Sequence, residues 1–262
     1  MALAELLRDP ATGIATLTVN RPEVLNALDV PTAQAIAAAL APLRGDSSVR
    51  CIVLRGAGRA FVAGGDLARF AKDFDAAADV ADKLLDALHS AIGILHGHDA
   101  PVLASVHGAV AGAGLSLMAG CDLVIAAEGT RFLLAYDRVG AAPDCGGTYF
   151  LPRVLGPRRA AEFMFLGEAW DAATALAAGL VNRVVPPAEL ARETEQLAAK
   201  LAGGPTRAFG MYKALAAQSH RNTLGEHLEL ERAAFKAATK TRDFREGVGA
   251  FLAKRSAQFQ GE

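Results

Sequence analysis

The order of apolar and polar residues predicts a set of strands in the first half of the chain. At residues 14–19 apolar and polar positions alternate, which is typical of a half-buried strand, and Asn20-Arg21-Pro22 ends the pattern. Continuous apolar runs predict three further, buried strands at residues 51–54, 102–106 and 123–126.

Between these strands, apolar residues recur at the spacing typical of helices. Residues 31–43 begin with a proline, which the first turn of a helix tolerates, and residues 80–96 form a longer helical pattern. Strands that alternate with helices predict an α/β architecture. Beyond Pro187 the pattern is almost continuously helical, at residues 189–201, 205–218, 224–239 and 244–254. We therefore expect a core over residues 1–195 and a helical region over residues 196–262.

Composition and charge narrow the class of protein. The chain has 262 residues and is 52% hydrophobic, which is enough for a substantial core. The formal net charge of -1 gives no broad attraction to nucleic acid or to an anionic membrane, so neither is expected as a partner. The most apolar region, residues 101–127, is interrupted by His107, several glycines and Asp122, and does not predict a membrane span.

The N-terminal residues and the cysteines both favour a cytoplasmic location. The first residues carry Glu5 and no long apolar stretch, unlike a secretory signal. The three cysteines Cys51, Cys121 and Cys145 are odd in number and widely spaced, which favours buried thiols over disulfides. The histidines have no converging set of further ligands, so no metal is expected.

Two segments rich in glycine give the first indication of chemistry. They lie at residues 58–67 and 107–117, and each follows a strand-like run and leads into a possible helix. A glycine loop lets the main chain approach a ligand closely, and its free N–H groups attract negative charge. Two converging loops can hold one oxygen and stabilise an oxyanion or enolate formed from a carbonyl. The alternative is that these glycines only permit tight turns and close packing.

With further motifs in the same order, these segments resemble the crotonase, or enoyl-CoA hydratase/isomerase, superfamily over essentially the whole chain. The resemblance implies a crotonase fold, a superhelix of ββα units with a C-terminal helical region used for trimerisation. It also implies an acyl-CoA thioester as substrate and a homotrimer or a dimer of trimers as the assembly. The matching motifs are Asn20-Arg21-Pro22 with Leu25-Asn26-Ala27-Leu28, residues 60–66, 108–114 and 143–148, Glu246-Gly247, Ala250-Phe251 and Lys254-Arg255.

The resemblance assigns roles to residues of the two glycine loops and their surroundings. The main-chain N–H groups of Gly65 and Ala113 would be the oxyanion donors, although Ala113 stands where relatives usually have glycine. The two glutamates with which hydratases of the family activate water are replaced by Ser116 and Tyr136, which we expect to line the substrate pocket. Neither hydroxyl can act as a carboxylate base at neutral pH, so simple hydration is disfavoured.

One carboxylate remains in the right neighbourhood. Asp144 lies in the segment 143–147, where isomerase-like branches of the family place their acid/base, and residues 135–152 are similar to phenylacetate-pathway epoxide isomerases and Δ3,Δ2-enoyl-CoA isomerases. A single carboxylate in an apolar pocket can remove a proton α or γ to the thioester and return it elsewhere, which moves a double bond. The other interpretation is that Asp144 caps a helix that begins near Gly146.

The resemblance also implies where coenzyme A, as part of the substrate, would bind; no separate cofactor is expected. The adenine would lie along the main chain of two residues of the first loop, and the pantetheine would pass the segment that follows the first strand. Two residues near the C-terminus would come from a neighbouring subunit. In that order, the predicted contacts are Ala63 and Asp66, Val24 and Leu25, and Phe251 and Lys254.

The sequence thus predicts an oligomeric enzyme that isomerises an enoyl-CoA or a ring-derived CoA thioester. Two alternatives stay open: an enoyl-CoA hydratase with an atypical acid/base set, and a non-catalytic scaffold that binds acyl-CoA or associates with RNA. Asp144 is the feature that separates them. The acyl group itself depends on how residues 67–86 fold over the site.

Overall fold

Within residues 2–262, which the computed structural model describes, the strands form two sheets. The first sheet has six strands in the order β1-β2-β3-β4-β6-β9, and the second has three in the order β5-β7-β8. Only the β1–β2 and β7–β8 pairs are antiparallel. The strands are β1 Ala4–Asp9, β2 Ile14–Val19, β3 Cys51–Gly56, β4 Val102–Val106, β5 Ala109–Ala111, β6 Leu123–Ala127, β7 Arg131–Leu133, β8 Trp170–Asp171 and β9 Arg183–Val185.

Helices connect the strands and form the C-terminal part of the chain. They are α1 Val30–Leu40, α2 Leu67–Phe70, α3 Ala77–Gly97, α4 Ala113–Ala119, α5 Gly147–Leu155, α6 Pro157–Leu166, α7 Ala172–Ala177, α8 Leu190–Ala202, α9 Thr206–Gln218, α10 Leu224–Ala238 and α11 Arg242–Leu252. Among residues 2–262, no helix combines the length and the apolar character that a membrane crossing needs.

Successive turns of the chain repeat one unit, a strand of the large sheet followed by a short strand of the small sheet and then a helix. β4, β5 and α4 form one such unit, and β6, β7 and α5 form the next. In the preceding unit, which begins with β3, a single bridge between Val62 and Val110 takes the place of the short strand. Because equivalent strands stack in parallel, the chain winds as a superhelix, and the predicted α/β crotonase fold is confirmed.

The central strands β3, β4 and β6 of the large sheet are buried on both faces, which explains their continuous apolar runs. Side chains of one strand alternate between the two faces, so Ile52 and Leu54 join the main core under α1 and α3. Cys51 and Val53 point to the other face and pack with residues of α8 such as Leu197. The parallel strands are therefore fixed in register by apolar contacts on both sides.

The predicted boundary between the core and the C-terminal helical region lies within α8. The limit between residues 195 and 196 falls inside this helix, and the second half of α8 buries Leu197, Ala198 and Ala202 against the sheet. In terms of packing, α8 belongs to the core, and the more exposed helices begin with α9. The division into a core over residues 1–195 and a helical region over residues 196–262 stays a prediction.

Candidate active site

The segment before the first glycine loop is fixed by a buried asparagine. Asn26 is fully buried and has a positive φ of 58°, which non-glycine residues seldom adopt. Its side-chain oxygen accepts a 2.7 Å hydrogen bond from the Arg21 amide. Its Nδ2 donates to the carbonyls of Ala57, Ala60 and Phe61 at 2.9, 2.8 and 3.0 Å. One side chain thus ties the end of β2 to the chain that enters the glycine loop.

The main-chain amide of Gly65 is free to bind a ligand. Gly65 lies opposite Leu28 in a parallel bridge. Both hydrogen bonds of this bridge join Leu28 to the two neighbours of Gly65 in the chain, not to Gly65 itself. The Leu28 amide donates to the Gly64 carbonyl, and the Asp66 amide donates to the Leu28 carbonyl, each at 2.8 Å. Because neighbouring amides along an extended chain point in opposite directions, the Gly65 N–H is turned away from Leu28. It has no acceptor among residues 2–262.

The second glycine loop presents an equivalent amide. Ala113 is the first residue of α4, and its N–H is one of the groups that a helix leaves without an internal partner. It too has no acceptor among the described residues. The preceding residue, Gly112, adopts φ 50° and ψ -125°, a conformation open to glycine but strained for other residues. The orientation of the Ala113 amide therefore depends on this glycine.

The two loops touch each other next to these amides. Val62 pairs with Val110, and the Ala111 amide donates to the Val62 carbonyl at 3.0 Å. Further along, a methyl group built on Gly112 would lie 3.4 Å from Cα of Gly64. At Gly114, in the second loop, an added methyl group would lie only 2.3 Å from the Val62 carbonyl oxygen, so this approach of the two loops requires glycine there. Gly65 and Ala113 each follow one of the two touching glycines, so the predicted convergence of the loops is present in the structure.

A cavity of about 480 Å³ opens at this junction. Its walls include Gly65 and Ala113, and Asp144 and Tyr136 are the only ionisable side chains that residues 2–262 contribute to it. The remaining lining is apolar or main chain, and much of it comes from α2 and the start of α3, as expected for residues 67–86. The apolar lining residues are Ala63, Leu67, Phe70, Ala71, Phe74, Leu84, Leu134, Ala135, Val139, Ala141 and Ala142.

Asp144 faces this cavity and is bonded to a neighbour in it. The Tyr136 hydroxyl donates a 2.6 Å hydrogen bond to Oδ1 of the half-buried Asp144. The turn that carries Asp144 is tight, since Cys145 and Gly146 have φ of 51° and 81°. The N-cap of α5 is Gly146, and no side chain accepts its first amides. The capping interpretation of Asp144 is therefore wrong for its side chain.

Burial controls the ionisation of the groups beside this carboxylate. Burial, and after it the charge of Asp144, raises the pKa of the Tyr136 hydroxyl above its usual range. Tyr136 therefore stays protonated and serves as a donor at neutral pH. Burial likewise raises the pKa of the Cys145 thiol, which stays neutral next to the site.

The structure places Ser116 differently from the sequence expectation. Ser116 is fully buried and lies behind the cavity wall instead of on it. Every residue of α4 is buried, so the helix has no cavity face that its sequence could indicate. The hydroxyl packs against Gly147 of α5. The contact is so close that a methyl group added to Gly147 would lie 2.5 Å from Ser116 Oγ. It forms no hydrogen bond of good geometry with the described residues, yet it is close enough to the Tyr136 phenol to influence its pKa.

Four of the predicted coenzyme A contacts lie near one another. The Ala63 amide donates to the Leu25 carbonyl at 3.1 Å, and Val24 precedes Leu25 in an exposed turn. The amides of Ala63 and Asp66 are both engaged in main-chain bonds, so an adenine at this position would have to use carbonyl oxygens instead. The Asp66 carboxylate is bonded to the buried Arg21 guanidinium at 2.9 Å.

The other two predicted contacts lie apart from the cavity. Phe251 is 82% exposed near the end of α11, and Lys254 follows the helix on the surface. Neither lines the cavity of its own chain, so their role as residues of a neighbouring subunit stays a prediction. Among residues 2–262, no three His, Cys, Asp or Glu side chains are grouped as metal ligands would be.

Comparisons with known proteins agree with this fold. The sequence model of the enoyl-CoA hydratase/isomerase family matches residues 9–262. The chain is 40% identical to 1,2-epoxyphenylacetyl-CoA isomerase of Escherichia coli K12, over 95% of this chain and 96% of that one. It is 32% identical to crotonyl-CoA hydratase of Syntrophomonas wolfei, over 99% of each. A crystal structure of an enoyl-CoA hydratase from Polaromonas sp. JS666 superposes with a TM-score of 0.91 at 33% identity, over 98% of this chain and 99% of that chain.

A superhelix of ββα units with two glycine loops at one cavity defines an enzyme of the crotonase class. The chain belongs to the enoyl-CoA hydratase/isomerase family of the crotonase superfamily, as the resemblance in sequence predicted. The names of its relatives include an isomerase and hydratases, so the choice of reaction depends on the residues in the cavity.

Proposed function

We propose that this protein moves a double bond in an enoyl-CoA, or in a ring-derived CoA thioester, by way of an enolate. The observation that carries the proposal is one carboxylate, Asp144, in the same apolar cavity as two unpaired amides, those of Gly65 and Ala113. An acyl-CoA substrate is supported by membership of the family. The relative from Escherichia coli, named as an isomerase of a CoA thioester, also supports this choice.

The two amides account for activation of the thioester. When both donate to the carbonyl oxygen, they stabilise the negative charge that the oxygen gains as a proton leaves the neighbouring carbon. Fixed donors of this kind are effective in a cavity with few other polar groups, because they need no reorganisation during the reaction. The methyl group of Ala113 does not interfere with the donor, since the donor belongs to the main chain.

Asp144 accounts for the transfer of the proton. In a 3-enoyl thioester the carboxylate takes a proton from C2, and the electrons of that bond move to form the dienolate. The carboxylic acid then returns the proton to C4, and the double bond ends between C2 and C3. One carboxylate performs both steps and is regenerated, so the reaction needs no second acid/base and no cofactor.

Hydration demands more than the cavity supplies. By the resemblance, hydratases of the family use two glutamates, and the equivalent residues here are Ser116 and Tyr136. The Tyr136 hydroxyl is a donor to Asp144, and Ser116 does not reach the cavity. Asp144 is the only carboxylate in the cavity wall formed by residues 2–262, which favours isomerisation over hydration.

The cavity also suggests which acyl groups are accepted. Apart from Asp144 and Tyr136, no lining side chain from the described part of the chain carries a charge or a hydroxyl, and Phe70 and Phe74 form part of the wall. We infer an uncharged, apolar acyl group. An acyl group with a second carboxylate would lie in this cavity without a cation, at a large cost in desolvation.

A comparison of two substrates tests the proposed function. The purified protein is given a 3-enoyl-CoA and, separately, a 2-enoyl-CoA of the same chain length, and the products are separated by chromatography and mass spectrometry. We expect 2-enoyl-CoA from the first substrate and little 3-hydroxyacyl-CoA from the second. Rapid formation of 3-hydroxyacyl-CoA would instead identify a hydratase. Binding of a CoA thioester with no turnover would identify a scaffold.

A further inference from the structure

The carboxylate of Asp144 has one hydrogen-bond partner of standard geometry among residues 2–262. The Tyr136 hydroxyl donates to Oδ1 at 2.6 Å, within the range of short charge-assisted O–H hydrogen bonds. No cation among the described residues forms an ion pair with this carboxylate, and the neutral Cys145 thiol also lies close to it. Tyr136 is therefore the donor that fixes Oδ1.

We propose that Tyr136 is a positioning residue for the proton transfer by Asp144. The phenol holds Oδ1 and leaves Oδ2 as the oxygen that takes the proton from the substrate and returns it. It also stabilises the ionised form of the carboxylate before the proton is taken. This inference deepens the proposed function and rests on it.

The phenol is suited to this role because it acts only as a donor at neutral pH. The ring lies in the cavity wall with the residue 7% exposed, and burial together with the charge of Asp144 raises the pKa of the hydroxyl. A hydrogen bond to a charged group in such surroundings is stronger than the same bond in water. The phenol therefore gives Asp144 a fixed partner without becoming a second base.

Ser116 does not share in this hydrogen bond. Its hydroxyl is fully buried, packs against Gly147 at the start of α5 and forms no hydrogen bond with the described residues. Of the two residues that, by the resemblance, replace the hydratase glutamates, Tyr136 is therefore the one that is bonded to the remaining carboxylate.

Tyr136→Phe tests the inference, with Tyr149→Phe as the matched control. Phenylalanine keeps the ring in the wall but removes the donor. Because the lost hydrogen bond favours the ionised carboxylate, we expect the acidic limb of the kcat/KM profile to move to higher pH by about one unit. Tyr149 is half-buried in α5, where its ring packs against Phe150 and Arg153 and does not line the cavity. Its replacement should leave the profile unchanged.

A double-mutant cycle separates positioning from a direct action on the substrate. If Tyr136 acts only through Asp144, Tyr136→Phe should have no further effect on turnover in an Asp144→Asn background. An equal loss of activity in both backgrounds, with an unmoved acidic limb, would overturn the inference. That result would mean that the phenol itself contacts the reacting atoms.

An infrared titration keeps the inference testable without any assay of activity. The C=O band of the protonated Asp144 carboxyl can be assigned by its loss in Asp144→Asn. We expect the pH at which this band appears to be about one unit higher in Tyr136→Phe than in the unaltered protein. An unchanged titration would overturn the inference even if the enzyme is an isomerase. A shifted titration in a protein that does not isomerise would support the inference and refute the proposed function.

Discussion

Asp144→Asn should reduce kcat for double-bond migration by roughly 10³-fold, the usual contribution of a general acid/base in its optimal position. Asparagine has nearly the same shape, and its side-chain oxygen can still accept the hydrogen bond from Tyr136. The turn at Asp144 and the binding of the thioester should therefore be preserved, while the group that carries the proton is lost. Single-turnover kinetics with a 3-enoyl-CoA, together with the dissociation constant of a saturated acyl-CoA, measure the two effects separately.

Asp137→Asn is the control for this substitution. Asp137 is an exposed carboxylate seven residues before Asp144 and does not line the cavity. Its replacement should leave kcat close to that of the unaltered enzyme. An Asp144→Asn enzyme that isomerises at the normal rate would exclude Asp144 as the proton carrier.

Gly112→Ala should lower kcat roughly 10²-fold, as loss of one oxyanion donor does in other enzymes. The ψ angle of Gly112 sets the plane of the peptide that contains the Ala113 amide, and φ 50° with ψ -125° is strained for alanine. Relief of that strain rotates the Ala113 N–H away from the substrate oxygen. The new methyl group would lie 3.4 Å from Cα of Gly64, an ordinary contact, so the strain of the main chain is the expected cause of the loss. Steady-state kinetics and thermal unfolding measure the change.

Gly129→Ala provides the same type of backbone strain away from the site. Gly129 has φ 80° in the turn between β6 and β7, and an added methyl group there would meet no atom within 4 Å. Both alanine variants should lose about 1–3 kcal/mol of stability, but only Gly112→Ala should lose activity. Equal kinetic losses in the two variants would argue against a role of the Ala113 amide.

The sequence predicted the buried strands and the long helices well, because their periodicity is set by contacts with the core. The predicted strands at residues 14–19 and 102–106 have the observed bounds of β2 and β4. β1 was not predicted, since most of its residues are exposed and carry no apolar alternation. The strands β5, β7, β8 and β9 are two or three residues long, too short for a periodic signal.

The two glycine loops were predicted from composition, whereas the contacts within the site were not. Glycines between a strand and a helix indicated the loops of Gly65 and Ala113, because only a small residue permits such an approach of main chains. The hydrogen bond from Tyr136 to Asp144 joins residues eight positions apart through an irregular segment that turns at Gly140, where φ is 65°, and no periodic pattern predicts such a contact. The placement of Ser116 could not be predicted either, since α4 is buried on every side.

The apolar wall of the cavity had a signal in the sequence that could have been used. Leu67, Phe70 and Phe74 recur at spacings of three and four residues, and Leu67 and Phe74 are more than half exposed. Exposed apolar residues at helical spacing next to a glycine loop indicate a ligand surface. This pattern is only eight residues long, so the sequence alone did not predict that the segment covers the site.

The structure of a complex with a saturated acyl-CoA tests the central claim most directly, because this ligand has no double bond to move. The account predicts the thioester oxygen about 2.7–3.1 Å from the main-chain nitrogens of both Gly65 and Ala113. It also predicts the Asp144 carboxylate beside the carbon next to the thioester. A thioester oxygen bound by other groups, or amides of Gly65 and Ala113 that point away from it, would contradict the account.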